Sequence, residues 1–327
     1  MKKILLISAI LFSVVYAQPA TSKISSMSGA FSRMGFGARG MGMANAMSGI
    51  LDGNLISYYN PALSAFQKRN SFQTSYSFLS LDRSLNFLNF TKSFQFGEPT
   101  ESGFQRSAGI SIGVINSGVS HIEERGSSGD LISEISTSEN QFFLGLSNRF
   151  SSKLALGVNF KFYYYSLYED ISSTGLGFDV GAIYLVNDNF TISASISDIN
   201  SKYKWDTTDL WGTDGRNSTE KFPLLKKLGL SYWSNNKKIK AAIEFESSNA
   251  ETNFLRVGAE YNIFQTLFIR GGVDRMNISN VDFPMRPSLG FSYIFQRGSF
   301  DLSVDYAFVI EPYAPQDQHI VGINFLF

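Results

Sequence analysis

From about residue 71 onward, apolar and polar side chains alternate with a period of two along most of the chain. In the segment 153–164, Leu156 and Phe160 alternate with Asn159 and Lys161. An alternation of this length predicts half-buried β-strands, because successive side chains of a strand point to opposite faces of the sheet. The same pattern recurs at 175–186, 190–197 and 255–261.

The polar face of these predicted strands carries charge, whereas the other face is apolar and often aromatic at the strand ends. Phe268, Arg270 and Asp274 share one polar-side face. A soluble sandwich would bury the apolar face between two sheets, and a transmembrane barrel would turn it toward lipid. Alternation alone does not distinguish a soluble sandwich from a transmembrane barrel. The other charged members of the polar face are Lys161, Asp179, Arg256, Glu260, Asp301 and Asp305.

Strand length and the order of the links favour the barrel. The chain holds about fourteen candidate strands of roughly 10–13 residues, which suits tilted membrane strands better than globular strands of about five or six. Short and long links alternate, which is typical of periplasmic turns and outer loops and predicts that both termini lie on the periplasmic side. The predicted turns are 151–152, 187–188, 234–237, 262–264 and 297–298; the predicted long links are 116–138, 166–174, 200–221, 247–253, 275–285 and 311–318.

The N-terminus resembles a secretory signal peptide. Two lysines precede a short apolar run, Ile4 to Val15, and cleavage is predicted after Ala17. The alternative is an anchor helix, but the run is shorter than the roughly 20 residues that a span needs. The predicted organisation is therefore a signal peptide at 1–17, an N-terminal hatch or plug at 18–70 and an outer-membrane barrel at 71–327.

The segment 18–70 is rich in Gly, Met, Ala and Ser and does not alternate. It is long enough to fill a barrel lumen, or alternatively to form a periplasmic extension. At the other end of the chain, HIVGINFLF ends on Phe327. A terminal aromatic residue on an alternating last strand resembles the signal that the barrel assembly machinery reads. Closure of that strand against the first would leave no free edge.

The amino-acid composition disfavours several classes of function. Lys plus Arg and Asp plus Glu are 28 each, so no net field draws nucleic acid. There is no cysteine, and the two histidines, His121 and His319, make a metal site or a Ser-His-Asp triad hard to build. We therefore expect no enzymatic activity, no catalytic residue, no metal and no cofactor. The 15% aromatic content suits strands and membrane interfaces.

Two further motifs favour a structural interpretation. GFGARG, 35–40, matches G-x-G-x-x-G, but neither a preceding strand nor a βαβ unit accompanies it, so close backbone packing is expected. Nearby methionines are expected to fill space in an apolar core or, alternatively, to contact a hydrophobic ligand. The segment Asp206 to Gly215 combines acidic groups with Trp211. It is expected to be a solvated outer loop, with calcium or a surface partner as alternatives. The methionines are Met34, Met41, Met43 and Met47.

Asn60 and Pro61 in YYNPALSAF predict the start of a short helix. Asn60 would accept a hydrogen bond from a free amide of the first turn, and Pro61 at the first helical position needs no partner. The helix would end near Asn70 and pass the chain to strand one at about Ser71. The alternative is an ordinary N-cap of a helix on the protein surface.

The segment Gly37 to Phe66 resembles the N-terminal region of the FadL-like outer-membrane proteins and is especially similar to the PorV/PorQ family. The likeness rests on the run GARGMGMA, an acidic residue at Asp52 and YNPA from Tyr59. The run is shorter after the arginine than the usual pattern and reads GMGMA where GMGGA is common. The resemblance implies a fourteen-stranded barrel with an N-terminal hatch.

The resemblance implies two functions. FadL passes long-chain fatty acids and similar hydrophobes, whereas PorV and PorQ work with type IX protein secretion. We expect a passive conduit for a hydrophobic small molecule, gated by the hatch. The alternative is a non-enzymatic component of secretion or surface attachment. A third possibility, which does not follow from the resemblance, is a soluble β-sandwich protein. Expected partners are outer-membrane lipids and the assembly machinery, with no nucleic acid and a monomeric barrel. The ligand or hatch candidates are Gly37, Arg39, Gly40, Gly42, Met43, Asn60, Pro61, Phe268 and Arg270.

Overall fold

The computed structural model describes residues 23–24, 27–101, 103–168, 171–279 and 283–327, and the predicted signal peptide lies outside them. No helix within these residues is long and apolar enough to cross a membrane. The strands are β1 (Ser71–Phe78), β2 (Arg83–Phe96), β3 (Arg106–Arg125), β4 (Leu131–Arg149), β5 (Leu154–Tyr168), β6 (Ile171–Leu185), β7 (Phe190–Ile199), β8 (Lys202–Asp206), β9 (Asn217–Lys221), β10 (Leu225–Trp233), β11 (Ile239–Ser248), β12 (Asn253–Phe264), β13 (Leu267–Asn277), β14 (Arg286–Arg297), β15 (Phe300–Val309) and β16 (Gln318–Leu326).

Fourteen of these strands form a closed antiparallel barrel, which confirms the predicted fold class. Strand β1 closes the barrel by pairing with β16 in a register from Ser71 opposite Leu326 to Phe78 opposite His319. The amide of Phe327 extends this seam by donating to the carbonyl of Asn70 (3.0 Å). Closure satisfies the backbone groups that a free edge would leave exposed to lipid.

The predicted two faces are confirmed along the strands. Leu156 and Phe160 are exposed on the outside of β5, whereas Asn159 and Lys161, on either side of Phe160, are buried. The outside carries Leu, Ile, Val and aromatic side chains around the barrel, and the inside carries Ser, Asn and charged groups. An apolar outer band with a polar lumen is the pattern of a transmembrane barrel and would be unfavourable for a sandwich in water.

The two ends of the barrel differ. We call the end at which β1 starts the short-turn end, because five of its six links are short, namely 150–153, 186–189, 234–238, 265–266 and 298–299; the sixth, 97–105, is longer. Asn187 shapes one of these turns by accepting from the amides of Asn189 and Phe190 (both 2.9 Å). The opposite, long-loop end carries 200–224, 278–285 and 310–317. In outer-membrane barrels, short turns face the periplasm and long loops face outward.

Two predicted long links are strand instead. Most of 116–138 and 166–174 belongs to β3–β4 and β5–β6, which continue beyond the barrel wall as extended hairpins. Polar residues such as Glu123 and Glu134 are opposite each other in the backbone register of β3 and β4 there. A strand that has left the membrane no longer needs one apolar face, so the alternation fades while the backbone pairing continues.

A second sheet lies outside the barrel order. The link between β7 and β10 folds into the hairpin β8–β9 and a short helix, α2 (Thr208–Trp211). Tyr203, Trp205 and Phe222 from this link are buried, whereas Trp211 is exposed. The hairpin therefore places aromatic side chains over the long-loop end of the lumen, which the sequence did not predict.

Residues 27–70, hereafter the plug, lie inside the barrel. The plug contains a 3-10 turn (Phe31–Arg33), the helix α1 (Ala38–Gly42) and a 3-10 helix (Pro61–Phe66), hereafter the plug helix. Helix α1 contacts β13–β16, and the plug helix contacts β2–β6. The plug thus spans the lumen from one wall to the other. Most of its buried apolar residues form one cluster with inward Phe87 and Phe143, whereas Ala38 and Met41 pack in a second cluster against β15 and β16.

Lys23, which precedes the plug among the described residues, lies at the long-loop end. The amide of Lys23 donates to the carbonyl of Ala250, and its ammonium group contacts Glu251 (3.0 Å). Residues 249–252 link β11 to β12 at the long-loop end, and Ser28 bonds Glu220 at the same end. The predicted N-terminus itself lies outside the described residues, but Lys23 lies at the long-loop end and not at the short-turn end where the prediction placed the terminus. The chain crosses the lumen once from the long-loop end before β1 begins.

Candidate functional site

An ion cluster joins α1 to the barrel wall near the short-turn end. The Glu260 carboxylate accepts two hydrogen bonds from the Arg39 guanidinium, one to each oxygen (both 3.0 Å). It also accepts from Lys240 Nζ (2.8 Å) and Arg270 Nε (3.1 Å). Glu260 is 2% exposed. We call Arg39, Lys240, Glu260 and Arg270 the Glu260 cluster; two-point arginine–carboxylate pairing makes its geometry specific.

Asp52 completes this cluster from the plug side. Its carboxylate lies 2.5 Å from Lys240 Nζ and 3.5 Å from Arg39 Nη2, and its carbonyl accepts from Arg39 Nη1 (2.6 Å). Burial opposes the charge on Arg39, but the carboxylates of Glu260 and Asp52 outweigh it and raise the pKa of the guanidinium. Arg39 therefore holds its charge inside the lumen and ties two plug segments to β12.

The structure brings two more predicted candidates, Phe268 and Arg270, to this cluster. Both line a cavity of about 190 Å³ with Arg39, Lys240 and Glu260. The Phe268 ring lies 5.4 Å from the Lys240 ammonium, within the range of a cation–π contact. Arg270 Nη2 donates to Ser292 Oγ (2.7 Å). These residues come from β11 to β14, so only the barrel register places them together.

The predicted plug glycines make room for neighbouring groups. A Cβ on Gly40 would overlap the Tyr59 hydroxyl, and one on Gly42 would come within 3.0 Å of Arg270 Cδ. Gly37 caps α1 with φ of 73°, a left-handed conformation that side chains rarely adopt. The GARG run is therefore suited to close packing, and it opens no βαβ unit of the kind that dinucleotide binding requires.

Met43 follows α1 and is 1% exposed within the apolar cluster of the plug. Its backbone lies against Gly258 of β12, where any Cβ would overlap the Met43 carbonyl. Met41 packs with Ala307 and Ile320 on the other side. Met41, Met43 and Met47 are thus core residues of the plug, in agreement with the packing interpretation, whereas Met34 is half-buried and lines a cavity.

Asn60 and Pro61 form the predicted cap. Asn60 Oδ1 accepts from the amide of Ala62 (3.0 Å), and Pro61 occupies the first helical position. Asn60 Nδ2 also donates to the carbonyls of Ala182 (3.2 Å) and Ala194 (3.3 Å) of β6 and β7. The Pro61 backbone lies against Gly157. The cap is therefore also an anchor of the plug helix to the wall.

Replacing Asn60 with Ala is expected to loosen the plug helix while the barrel assembles normally. The substitution removes the cap and leaves two wall carbonyls without their donor, a cost of about 1–3 kcal/mol. Limited proteolysis should cleave 61–70 faster, whereas heat-modifiable migration in gels should not change. Asn236→Ala, in an exposed turn of the short-turn end, is the control. Unaltered protease resistance of the plug would contradict the expectation.

Sequence reasoning missed several luminal contacts. Asn45 links Asp274 (3.1 Å) to the Tyr59 hydroxyl (2.9 Å), and burial raises the pKa of Tyr59. Lys161 pairs with Asp179 (2.7 Å) and Asp198 (3.0 Å). The alternation in the sequence already placed Lys161 and Asp179 on the inner face of their strands, but which residues they contact depends on strand register. A further cluster joins Arg256 to Glu244, Glu246 and Asp274.

The lumen is divided by the plug. A cavity of about 960 Å³ opens at the short-turn end, lined by Asp52, Phe66 and Trp233 among others. A cavity of about 190 Å³ lies at the long-loop end beside Met34 and Arg275. Between the two ends, the space beside Arg33, Tyr58, Tyr59 and Arg256 measures about 20 Å³, close to the room that one water needs.

The two histidines and the acidic groups are the candidates for metal ligands. The described residues contain no group of three His, Cys, Asp or Glu side chains placed to hold a metal ion, the 206–215 loop included. His319 Nδ1 contacts the Tyr306 hydroxyl (2.7 Å) on the outside of the barrel. His121 lies in the exposed part of β3.

The fold and this site define a plugged β-barrel of the outer-membrane type. No family model and no curated protein matches the chain. Among solved structures, it is similar to the toluene transporter TodX of Pseudomonas putida, at 14% identity, 89% and 96% coverage of the two chains and a TM-score of 0.57. It is also similar to a FadL homologue of Pseudomonas aeruginosa, at 12% identity, 90% and 98% coverage of the two chains and a TM-score of 0.55. For the monoaromatic hydrocarbon channel CymD, the identity is 13%, the coverage of the two chains 96% and 99%, and the TM-score 0.53. The chain therefore has the FadL-type barrel fold.

Proposed function

We propose that this protein is an outer-membrane channel through which small hydrophobic molecules pass passively, gated by the plug. One observation carries the proposal: the plug separates the cavities at the two ends of the barrel, and apart from the chain connection at residues 70–71 the described plug is joined to the wall by ion pairs, hydrogen bonds and apolar packing. Such contacts exchange readily when a segment moves. The solved structures with this fold are described as a toluene transporter and a monoaromatic hydrocarbon channel, which supports the choice of cargo.

Among the described residues, the cavities of the closed protein do not form a continuous apolar route. The short-turn cavities are lined by many polar and charged groups, such as Lys68, Arg149 and Asp188. Apolar surface inside the barrel lies instead between the plug and inward Phe87, Ile115 and Phe143. A hydrophobic molecule would follow this surface by taking the place of plug side chains, so that the apolar path exists only while the plug is displaced.

Deleting the gene in the source bacterium is expected to slow the entry of at least one small hydrophobe. Radiolabelled toluene and longer alkylbenzenes would be offered to the deletion strain, to the wild type and to the strain complemented with the full chain. Reconstituted vesicles would show whether the purified protein is sufficient. Unchanged entry across the panel, in cells and in vesicles, would refute a channel for such molecules.

The alternative role in type IX protein secretion rests on the likeness of residues 37–66 to the PorV/PorQ family. The structures described above are channels and transporters and add no support to it. It stays a prediction, which a pull-down of the tagged protein from outer membranes would test through recovery of secretion components. Monomeric state, interaction of Phe327 with the assembly machinery, and the lack of enzymatic activity also stay predictions.

A further inference from the structure

The cavity at the long-loop end has an unusual charge. It measures about 190 Å³ and is bounded by the plug, the β1–β2 turn, β13, β14 and the 310–317 link. Its described lining includes three arginines, Arg83, Arg275 and Arg286, but one carboxylate, Glu311. That carboxylate is already shared by Arg286 and the Gln318 side chain. The described lining therefore carries an excess of two positive charges.

Arg286 is buried without full hydrogen bonding. It is 4% exposed, and its Nε has no hydrogen-bond partner among the described residues. Its other neighbour, Asp274, lies 4.0 Å away and is held by Arg256 (2.6 Å) and Asn45. Leaving a buried donor of a charged group unsatisfied is costly, and an oxyanion in the cavity would remove that cost.

A strained backbone places Arg275 in the same cavity. The β12–β13 register shifts between Leu255 and Val257, so that Asp274 and Arg275 form a bulge. Arg275 has φ of 56°, which is uncommon for a residue with a side chain. Bulges often re-aim a side chain, and strain of this kind recurs at binding sites. Here, the buried Asp274 and the cavity-lining Arg275 are consecutive residues that both reach the lumen.

We propose that this cavity binds a small organic anion, with its carboxylate on Arg275 and Arg286 and its apolar part against Met34 and Leu79. The size suits one ring, because cavities of about 150 Å³ hold benzene. The inference rests on the proposed function for its role, which is to select molecules at the outer entrance. It adds that the channel takes acids in preference to neutral hydrocarbons of the same shape.

Calorimetry on the purified full-length protein in detergent tests the site, with benzoate, toluene and inorganic phosphate as probes. Benzoate is expected to bind measurably and more tightly than toluene or phosphate. Arg275→Asn keeps a residue that tolerates the left-handed backbone and should weaken benzoate binding about tenfold, the loss of one charge-assisted hydrogen bond. Arg83→Ala at the exposed rim should weaken it less. Arg216→Asn, exposed in the 200–224 link, is the matched control and should change nothing.

Heat-modifiable migration checks that each variant is folded, and Arg83→Ala keeps the test open if Arg275→Asn misfolds. The anion site would be overturned if the wild type bound benzoate and toluene equally tightly. It would also be overturned if the wild type and both cavity variants bound benzoate equally tightly. Tighter binding of phosphate than benzoate would overturn the apolar half of the proposal. If benzoate does not bind while toluene entry depends on the protein, this inference alone fails. If benzoate binds through Arg275 and no hydrophobe enters, the channel proposal fails instead.

Discussion

Cross-linking Ser48→Cys to Ser193→Cys is expected to stop hydrophobe entry through the protein and to restore it on reduction. The two hydroxyl oxygens lie 2.8 Å apart, one in the plug and one on β7. This separation places the side chains close enough for a disulfide once the sulfurs rotate toward each other. The chain contains no other cysteine, so the bond forms without competing pairs. Entry would be measured in vesicles with and without reductant, where we expect a drop of at least about tenfold.

A second pair serves as the matched control. Ser64 Oγ and Ser147 Oγ lie 2.7 Å apart and would tie the plug helix to β4. This helix already lies against the backbones of Gly109 and Gly157, where no Cβ intervenes. We therefore expect it to stay in place during transport, and Ser64→Cys with Ser147→Cys should leave entry near the wild-type rate when oxidised. Normal entry with the 48–193 bond formed would show that the plug is not the gate.

Replacing Glu260 with Ala is expected to release the α1 half of the plug and to leave a conducting barrel. The carboxylate lies between Lys240 and Arg270, its register partners on β11 and β13, and it also holds Arg39. Without it, three buried cations face each other, and breaking such a buried pair costs about 3–5 kcal/mol. The interstrand backbone bonds remain, so the barrel should still assemble. Planar-bilayer recordings should show frequent openings, with trypsin cleaving at Arg39.

The control for this substitution is another carboxylate that ties the N-terminal side to the wall. Glu251 pairs with Lys23 at 3.0 Å, but both side chains are more than half exposed. Surface pairs contribute about 0–1 kcal/mol, so Glu251→Ala should leave conductance and proteolysis unchanged. Glu260→Gln should fall between alanine and the wild type, because it keeps hydrogen bonds without the charge. Equal conductance of all four proteins would rule out the Glu260 cluster as a latch.

Much of the barrel was predictable because the signals involved are local. Alternation assigned Phe160 to the outside and Lys161 to the inside, and the structure confirms both. The Asn60–Pro61 cap was read from two adjacent residues and forms as expected. Strand ends beyond the membrane were not predicted, since β3 and β4 lose their apolar face there but keep pairing to Arg125 and Leu131. The β8–β9 hairpin was missed for a different reason: its buried Tyr203 and Trp205 pack on aromatic rings of β5, a contact that forms only in the folded barrel.

The sequence by itself determined the two faces of the strands and the cap of the plug helix, because both are properties of neighbouring residues; it left open whether residues 18–70 fill the lumen or extend from the barrel. Only the tertiary structure decided what the plug contacts. Arg39 and Glu260 are 221 positions apart, and their pairing depends on closure and on the register of β11, β12 and β13. The same holds for the N-terminal exit beside Ala250 and for the bulge at Arg275. Residues distant along the chain meet only after the whole sheet has closed, so no local pattern encodes their meeting.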